Sequence, residues 1–254
     1  MSEETKEGAK KETTSGFKDV SEFGDQVHES SHPVLLHKIT ILRSSSTVPS
    51  AFRAVLREVT YHLAYEATSS LTTRPVAITV PMGHEHVEAS GQKLVERVSL
   101  IPILRSGLGM VDPLLELLPN AAVHHIGMYH ISGQQPVQYF NRLPKQHECD
   151  IAYVLDPVVA TAATIMSVIA ILKKWGVNRI HVLTVIAAKG GLKTILDAHP
   201  DVHITVGTID DKLSDKGKVL PGLGDSGDRQ FHTPLIDDEE ALLHPSKRKR
   251  SVDL

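Results

Sequence analysis

Apolar and polar positions follow two different periodicities along the middle of the chain. In residues 49–67, apolar side chains recur at spacings of three and four, which predicts an amphipathic helix. These side chains are Phe52, Val55, Leu56, Val59 and Leu63. By contrast, residues 98–104 (VSLIPIL) form a short continuous apolar run, which is typical of a strand buried on both faces of a sheet.

Segments of these two kinds alternate from residue 98 onwards. The predicted strands are 98–104, 121–129 (AAVHHIGMY), 151–155 (IAYVL), 179–188 (RIHVLTVIAA) and 202–209 (VHITVGTI), and residues 136–144 (PVQYFNRLP) predict a protruding strand or arm. The predicted helices end near Pro119, at Gly176 and near Pro200. Strands that alternate with helices predict an α/β fold with a mostly parallel sheet flanked by helices.

The two ends of the chain lack these patterns. Residues 1–31 are polar and almost without large apolar groups, so we expect a flexible head, and residues 234–254 predict a flexible charged tail. Residues 32–233 would then form the folded domain. The run Lys247, Arg248, Lys249 and Arg250 could be a nuclear-import signal, but a solvated tail is the favoured interpretation.

Composition narrows the classes of protein that fit. With 41% hydrophobic residues and a formal net charge of -3, the chain suits one sizeable domain and gives no reason to expect nucleic acid as its main partner. No run of 18 apolar residues exists, and the first residues contain no apolar segment of a secretory signal. The single cysteine, Cys149, allows no intrachain disulfide and no cysteine-based zinc site. We therefore expect no membrane segment and a cytoplasmic location.

The turn after residues 151–155 carries the first candidate chemistry. Ligands of parallel sheets bind at the carboxyl ends of the strands, here after Leu104, Leu155 and Ile186. We expect Thr161 to begin the next helix, whose unpaired N–H groups would suit a phosphate, with Thr161 and Thr164 adding hydroxyls. Asp156 suits ribose hydroxyls or a bound Mg²⁺. These residues alone are equally compatible with a plain helix cap and a plain turn.

Two further segments could face the same ligand. Arg105 follows the strand at 98–104 and suits forked recognition of phosphate oxygens, while Gly107 and Gly109 allow close approach of the backbone. Residues 219–229 (VLPGLGDSGDR), here called the glycine-rich loop, could pair their main chain with a planar polar ligand. A surface salt bridge of Arg105 and an ordinary surface loop are the plain alternatives.

Seven segments carry a resemblance to a known family. They are HPVLLHKITILR, LAYEAT, IPILRSGLGMVDPLLELLP, IGMY, DPVVAT, AHPDV and PGLGDSGDR. Together, over about residues 32–233, they resemble uracil phosphoribosyltransferase. The resemblance implies the phosphoribosyltransferase fold, with a small uracil-binding hood and a β-arm. It also implies the reaction of uracil with 5-phosphoribosyl 1-pyrophosphate (PRPP) to give UMP and pyrophosphate, in pyrimidine salvage.

The resemblance also implies roles for individual residues. The PRPP site would contain Arg43, Arg105, His130, Asp156, Pro157, Val158, Val159, Ala160, Thr161, Ala162, Ala163, Thr164 and Asp225. Uracil would meet Val219, Gly224, Asp225 and Ser226, and the catalytic residues would be Asp225 and Arg105. Mg²⁺ would be held mainly through the pyrophosphate. The family further implies a homodimer or homotetramer and leaves GTP open as an allosteric ligand.

Three positions depart from the family pattern. The family usually has two glycines where this chain has Ala162 and Ala163, and an arginine where it has His130. A left-handed alanine loses about 1–2 kcal/mol, and a lost charged hydrogen bond to phosphate about 1.5–3 kcal/mol. Alanine at ordinary negative φ would lose nothing. The alternative function is therefore a catalytically impaired homologue that binds uracil or nucleotide in a regulatory or assembly role.

The chain contains 15 histidines, and histidine is a common metal ligand. His84 with His86, or His124 with His125, could ligate zinc, but no third ligand stands at a readable spacing. We therefore expect solvated or strand-edge histidines and no metal held by the protein alone.

Overall fold

The computed structural model describes residues 21–129, 136–146 and 148–233. Its strands are β1 (Val27–Glu29), β2 (Thr73–Met82), β3 (Glu85–Leu94), β4 (Val98–Leu104), β5 (Ala122–Val123), β6 (Ile126–Tyr129), β7 (Val137–Asn141), β8 (Ile151–Leu155), β9 (Val158–Val159), β10 (Arg179–Ala188), β11 (His203–Asp210), β12 (Lys212–Leu213) and β13 (Val219–Leu220). Its α-helices are α1 (Pro33–Arg43), α2 (Pro49–Ala67), α3 (Val111–Leu117), α4 (Ala163–Trp175), α5 (Lys189–Ala198) and α6 (Ser226–Phe231). Short 3₁₀ helices cover Ser21–Gln26, Thr68–Ser70 and Ser106–Met110.

A nine-stranded sheet forms the centre of the molecule. Its main order is β1-β11-β10-β8-β4-β6-β7, with β5 beside β4 and β9 beside β10. All pairings are parallel except that of β6 with β7. Every residue of β8 is buried, because helices cover both faces of the sheet there. The predicted α/β architecture with a mostly parallel sheet is confirmed.

Two hydrophobic clusters lie on the two faces of the sheet. Helices α1, α2 and α3 contribute to one cluster, in which all five apolar positions of the predicted helix at residues 49–67 are buried. Helices α4 and α5 contribute to the other, and α4 inserts Ile165, Val168, Ile169 and Leu172. Gly176 ends α4 at φ 107, as its position in the sequence predicted. Burial of such side chains contributes about 1.5–3 kcal/mol each, so packing fixes both helices on the sheet.

The start of the folded part differs from the sequence expectation. Residues 27–29 were assigned to the polar head, but they form β1, which pairs in parallel with β11. Phe23 and Val27 are buried in the core. Two apolar side chains in a polar segment are therefore enough to place its last part in the sheet. Residues 1–20 of the expected head and residues 234–254 of the expected tail lie outside the described residues.

Two ribbons project from the domain. The predicted arm at residues 136–144 forms β7, an exposed strand antiparallel to β6. The second ribbon, the β2–β3 ribbon, pairs residues 73–82 with 85–94 and was not predicted. One of its faces carries exposed Ile78, Val80, Met82 and Val87. Among the described residues, no helix combines the length and the apolar character that a membrane span requires.

Candidate active site

The turn after β8, residues 156–162, is bonded into the sheet and is here called the Asp156 turn. Within it, β9 pairs in parallel with Ile186 and Ala187 of β10. The carbonyl of Pro157 accepts hydrogen bonds from the N–H groups of Val185 (3.1 Å) and Ile186 (3.0 Å). As predicted, Asp156 stands at the carboxyl end of a central parallel strand.

The helix after this turn begins later than expected. Its first residue is Ala163, whereas Thr161 was expected to begin it. Thr161 is exposed, and Ala162 occupies the N-cap position in the left-handed region, at φ 70 and ψ -2. A left-handed residue interrupts a right-handed helix, so α4 begins only after Ala162. No side chain at the N-cap accepts from the first N–H groups of α4, which leaves them directed towards a possible ligand.

The two alanines therefore differ in conformation. Ala163 lies inside α4, but Ala162 needs a backbone conformation that costs a non-glycine residue about 1–2 kcal/mol. Ala162 is 4% exposed and belongs to the core cluster around α4. Burial of one such group contributes about 0.8 kcal/mol and offsets much of that cost. Of the two alanines that replace family glycines, only Ala162 therefore adopts a backbone conformation that favours glycine.

Two glycines in neighbouring elements allow the backbone at and just before the Asp156 turn to approach closely. A Cβ on Gly107 would stand 2.3 Å from the carbonyl oxygen of Leu155. A Cβ on Gly191, in α5, would stand 2.2 Å from the carbonyl oxygen of Ala160. Both distances are below any real Cβ contact, so these glycines are required for the position of the turn.

Asp156 is a buried carboxyl group at the centre of this edge. The residue is 9% exposed, and its Oδ1 accepts a hydrogen bond from Ser106 Oγ at 3.0 Å. Burial raises the pKa of Asp156 to about 7, and the charge of Asp225 acts in the same direction. The Ser106 hydroxyl and the Val158 N–H oppose this rise in pKa. Asp156 can therefore change its charge near neutral pH.

Arg105 follows β4 and turns towards the C-terminal end of the described chain. Its Nη2 donates to Asp228 Oδ1 at 2.8 Å, and its Nη1 donates to Thr233 Oγ1 at 3.2 Å. The Thr233 hydroxyl donates in turn to Asp228 Oδ1 at 2.5 Å. The Arg105 side chain is 50% exposed, whereas that of Asp228 is 15% exposed. The guanidinium group therefore has protein partners while one side of it faces solvent.

The glycine-rich loop forms a small hood beside the sheet. It starts in β13, which pairs antiparallel with β12, and it runs into α6. Gly222 and Gly224 adopt φ 60 and φ 78. Asp225 caps α6, because its Oδ1 accepts from the N–H of Asp228 at 2.8 Å. Val219 and Ser226, expected to meet uracil, are buried in the loop.

Side chains from distant elements, together with Arg229 of the loop itself, stabilise this loop. Arg43 forms a two-point ion pair with Asp210 (2.7 and 2.8 Å), and it also donates to the carbonyl of Gly222 at 2.8 Å. Asp210 accepts from the N–H of Gly222 at 2.9 Å. Arg229 donates to the carbonyls of Leu223 and of residues at the end of α1, and lies over the Phe52 ring. Arg43, expected among the PRPP contacts, thus lies in an ion pair that supports the glycine-rich loop.

The buried side chain of Gln230 joins the glycine-rich loop to the turn after β4, which in turn contacts the Asp156 turn. Gln230 is 1% exposed, and its Nε2 donates to the Ser106 carbonyl (2.9 Å) and to Ser226 Oγ (3.0 Å). Ser106 in turn donates to Asp156. The sequence predicted that the glycine-rich loop and the Asp156 turn lie together, although more than 50 residues separate them, and this contact path confirms it.

Comparison with known sequences shows to which family this chain belongs. The family model described as "Uracil phosphoribosyltransferase" matches residues 29–233 of this chain. The chain belongs to the uracil phosphoribosyltransferase family.

Individual relatives agree with the family match. A uracil phosphoribosyltransferase of Roseiflexus castenholzii is 45% identical over 209 residues, which are 82% of this chain and 99% of the relative. One of Clostridium novyi is 43% identical over 211 residues, with the same shares covered. A solved structure of a protein from Aquifex aeolicus has a TM-score of 0.76 and 31% identity, covering 83% of this chain and all of that one. The expected phosphoribosyltransferase fold is therefore confirmed.

Several residues of this candidate site carried no usable signal in the sequence. Ser106, Asp210 and Gln230 are common polar residues, and only folding brings them to the turns they join. Gly191 had a weak signal, since two adjacent glycines open α5, but which of them packs closely depends on the fold.

The described histidines form no group that could hold a metal ion. His130, the third departure from the family pattern, lies outside the described residues. His84 and His86 lie at the tip of the β2–β3 ribbon, and the ring of His124 packs against Trp175 at 5.3 Å. In the described parts of the chain, no group of three or more potential ligands could hold a metal ion.

A cavity of about 580 Å³ lies at the opposite edge of the sheet, where strands β8, β10 and β11 begin. His28, Glu66, His181 and His203 are among its lining residues. Since ligands of such sheets bind at the carboxyl ends of the strands, this cavity is not the candidate substrate site.

Proposed function

We propose that this protein transfers the phosphoribosyl group of PRPP to N1 of uracil, releasing pyrophosphate and forming UMP. The observation that carries the proposal is the contact path from the glycine-rich loop through Ser106 to Asp156. A transfer reaction needs both reactants in one pocket at near-attack distance, and this path joins the two expected subsites.

Each subsite has a physical basis for its ligand. The first N–H groups of α4 and the hydroxyls of Thr161 and Thr164 suit the 5′-phosphate, and Asp156 suits the ribose hydroxyls. Arg105 would bind the pyrophosphate and stabilise it as the leaving group. Main-chain N–H and C=O groups at Gly224, Asp225 and Ser226 would form hydrogen bonds with uracil. A different base would leave some of these groups unpaired, which would make the site selective.

Mg²⁺ fits this site as a partner of the substrate. Asp156 and Asp225 are close enough for the charge of Asp225 to affect the pKa of Asp156, and both lie at the expected pyrophosphate edge. Mg²⁺ prefers oxygen ligands and retains waters, so two carboxylates beside a pyrophosphate suit it without a dedicated cage. When bound, it would neutralise the charge of the pyrophosphate.

We further propose a homodimer or homotetramer in the cytoplasm. An isolated two-stranded ribbon is at best marginally stable in water, so the exposed apolar face of the β2–β3 ribbon favours a covering partner, here a second copy of the chain. GTP as an allosteric ligand stays a prediction. The one cysteine fits a reducing compartment.

Transfer activity tests the proposed function directly. The purified protein would be incubated with radiolabelled uracil, PRPP and Mg²⁺, and UMP would be separated and counted. We expect UMP from the native chain and at least about 100-fold less from Arg105→Ala, which removes the expected pyrophosphate contact.

The left-handed Ala162 favours the impaired homologue as a second candidate. Absence of UMP together with binding of uracil or UMP in calorimetry would select that alternative. Absence of both activity and binding would overturn the assignment of the site.

A further inference from the structure

Arg105, the residue expected to bind pyrophosphate, already has an anionic partner on α6. The pair with Asp228 is short, at 2.8 Å, and Asp228 is mostly buried whereas Arg105 is half-exposed. A Cβ on Gly227 would lie 3.5 Å from Arg105 Nη2 and 3.7 Å from Cζ, so the guanidinium group rests on the backbone of this glycine. Arg105 is thus folded against the first turn of α6.

The same carboxylate also organises the end of α6. Asp228 Oδ1 accepts from Thr233 as well as from Arg105, and the Asp228 N–H donates to Asp225. One carboxylate therefore joins the end of β4, the cap of α6 and Thr233. A bound pyrophosphate that took the Nη2 N–H now bonded to Asp228 would remove one of the contacts that hold α6 in place.

We propose that Asp228 is a positioning residue that competes with pyrophosphate for Arg105. Donor binding exchanges the Arg105–Asp228 ion pair for an arginine–pyrophosphate pair, so the substrate-free protein holds Arg105 away from its ligand. The inference rests on the proposed function, because it takes pyrophosphate as the ligand of Arg105.

The size of this competition follows from the environment of the pair. Ion pairs with solvent access contribute about 0.2–1 kcal/mol, and the low exposure of Asp228 favours the upper part of that range. Pyrophosphate must overcome this interaction before it gains its own. Removal of the Asp228 charge should therefore tighten binding of pyrophosphate by about two- to fivefold.

The test measures binding of magnesium pyrophosphate by calorimetry to the native chain and to four variants. Asp228→Asn should bind it about two- to fivefold more tightly. Asp228→Glu, which keeps the charge, should bind it less tightly than Asp228→Asn. Arg105→Ala should bind it more weakly than the native chain. In the double variant Arg105→Ala with Asp228→Asn, the second change should have no effect, because the competition acts only through Arg105.

Each outcome supports or overturns the proposed competition between Asp228 and pyrophosphate. Weaker binding by Asp228→Asn would show that Asp228 supports the ligand and would overturn the proposal. Equal tightening with and without Arg105 would show a general field effect and would overturn it as well. If no variant binds pyrophosphate, both this inference and the proposed function fail, whereas UMP formation without tightening by Asp228→Asn would remove the inference alone. Asp228→Ser tests the same expectation if thermal unfolding shows Asp228→Asn to be too unstable.

Discussion

The Asp156 turn and the glycine-rich loop lie at the same edge of the sheet, but different parts of the chain hold them there. The Asp156 turn is bonded to β10 by its own main chain. The glycine-rich loop depends on the side chains of Arg43, Asp210 and Arg229. Each contains left-handed backbone, at Gly222 and Gly224 in the loop and at Ala162 in the turn.

What surrounds the left-handed residue explains this difference. A Cβ on Gly222 would stand 2.4 Å from the carbonyl oxygen of Val219, where backbone blocks it. The Cβ of Ala162 instead packs in the core cluster. A left-handed alanine is strained at either position, but at Gly222 the added carbon would also meet fixed backbone, whereas at Ala162 its burial among apolar groups offsets part of the cost.

The largest expected effect is that of Gly222→Ala. This variant combines the cost of a left-handed alanine with a backbone clash, so the free energy of unfolding should fall by about 2–4 kcal/mol, with loss of uracil binding. Urea unfolding and calorimetry with uracil measure both effects. Gly224→Ala is the matched control, because φ is 78 there but the nearest atom is Arg229 Cδ at 3.6 Å. Equal losses in the two variants would show that φ alone decides.

The next effect concerns the support of the Asp156 turn. Gly191→Ala should displace the Ala160 carbonyl and weaken binding of magnesium PRPP by about tenfold or more, while uracil binding changes little. Gly190→Ala is its control in the same helix turn, since an added Cβ there meets no atom within 4 Å. Weaker PRPP binding in both variants would indicate a general effect on α5.

A smaller effect is expected from the buried charge of Asp156. Because its pKa is raised to about 7, folding favours the protonated carboxyl, and the protein loses stability as the pH rises from about 4 to 7. Asp156→Asn removes this loss, so it should be more stable than the native chain by about 1–3 kcal/mol at pH 8. The difference should shrink towards pH 4. Urea unfolding at several pH values measures it.

Asp201→Asn provides a control of opposite sign. A hydrogen bond from Lys173 at 2.7 Å lowers the pKa of Asp201, so the native carboxylate stabilises the fold at neutral pH and loses that effect in acid. This exposed pair should give only a small effect. An Asp156→Asn variant less stable than the native chain at pH 8 would contradict the burial argument.

The smallest effect should separate the two alanines. Ala162→Gly relieves the left-handed conformation but loses a buried methyl group, so the free energy of unfolding should change by less than about 1 kcal/mol. Ala163→Gly lowers helix propensity without such relief and should destabilise by up to about 1 kcal/mol. We expect tighter PRPP binding only for Ala162→Gly. Calorimetry of both variants tests this, and identical changes in PRPP affinity would remove the distinction between the two positions.

The sequence predicted the central architecture because buried strands and amphipathic helices have local periodicities. It placed β4, β8 and β10 and the turns that follow β4 and β8, and it matched α2 and α4 closely. It missed β1, whose few apolar residues stand in a polar segment, and the β2–β3 ribbon, whose exposed residues show no pattern of burial.

Of the site, the sequence predicted only the residues that directly follow a strand, because the strand ends fix where those residues lie. Asp156 and Arg105 follow strands whose carboxyl ends meet, so their common edge could be inferred. The pairing of Arg105 with Asp228, and of Arg43 with Asp210, joins residues 123 and 167 positions apart. Such contacts depend on how loops return to the sheet, which no local pattern records. The start of α4 was misplaced by two residues because alanine has no intrinsic preference for the left-handed conformation that Ala162 adopts.

The pairing of β9 with β10 also determines when the Asp156 turn becomes ordered. The amides of Val185 and Ile186 donate to the Pro157 carbonyl, so they should exchange with solvent only when the turn and the central strand separate. A flexible loop would lose about 1–2 kcal/mol of conformational entropy per residue on binding, whereas this turn has lost that entropy during folding. The opening of the turn from β10 should therefore lower both the affinity for substrate and the protection of these two amides against hydrogen exchange. A variant that changes one of the two quantities should change the other in the same direction.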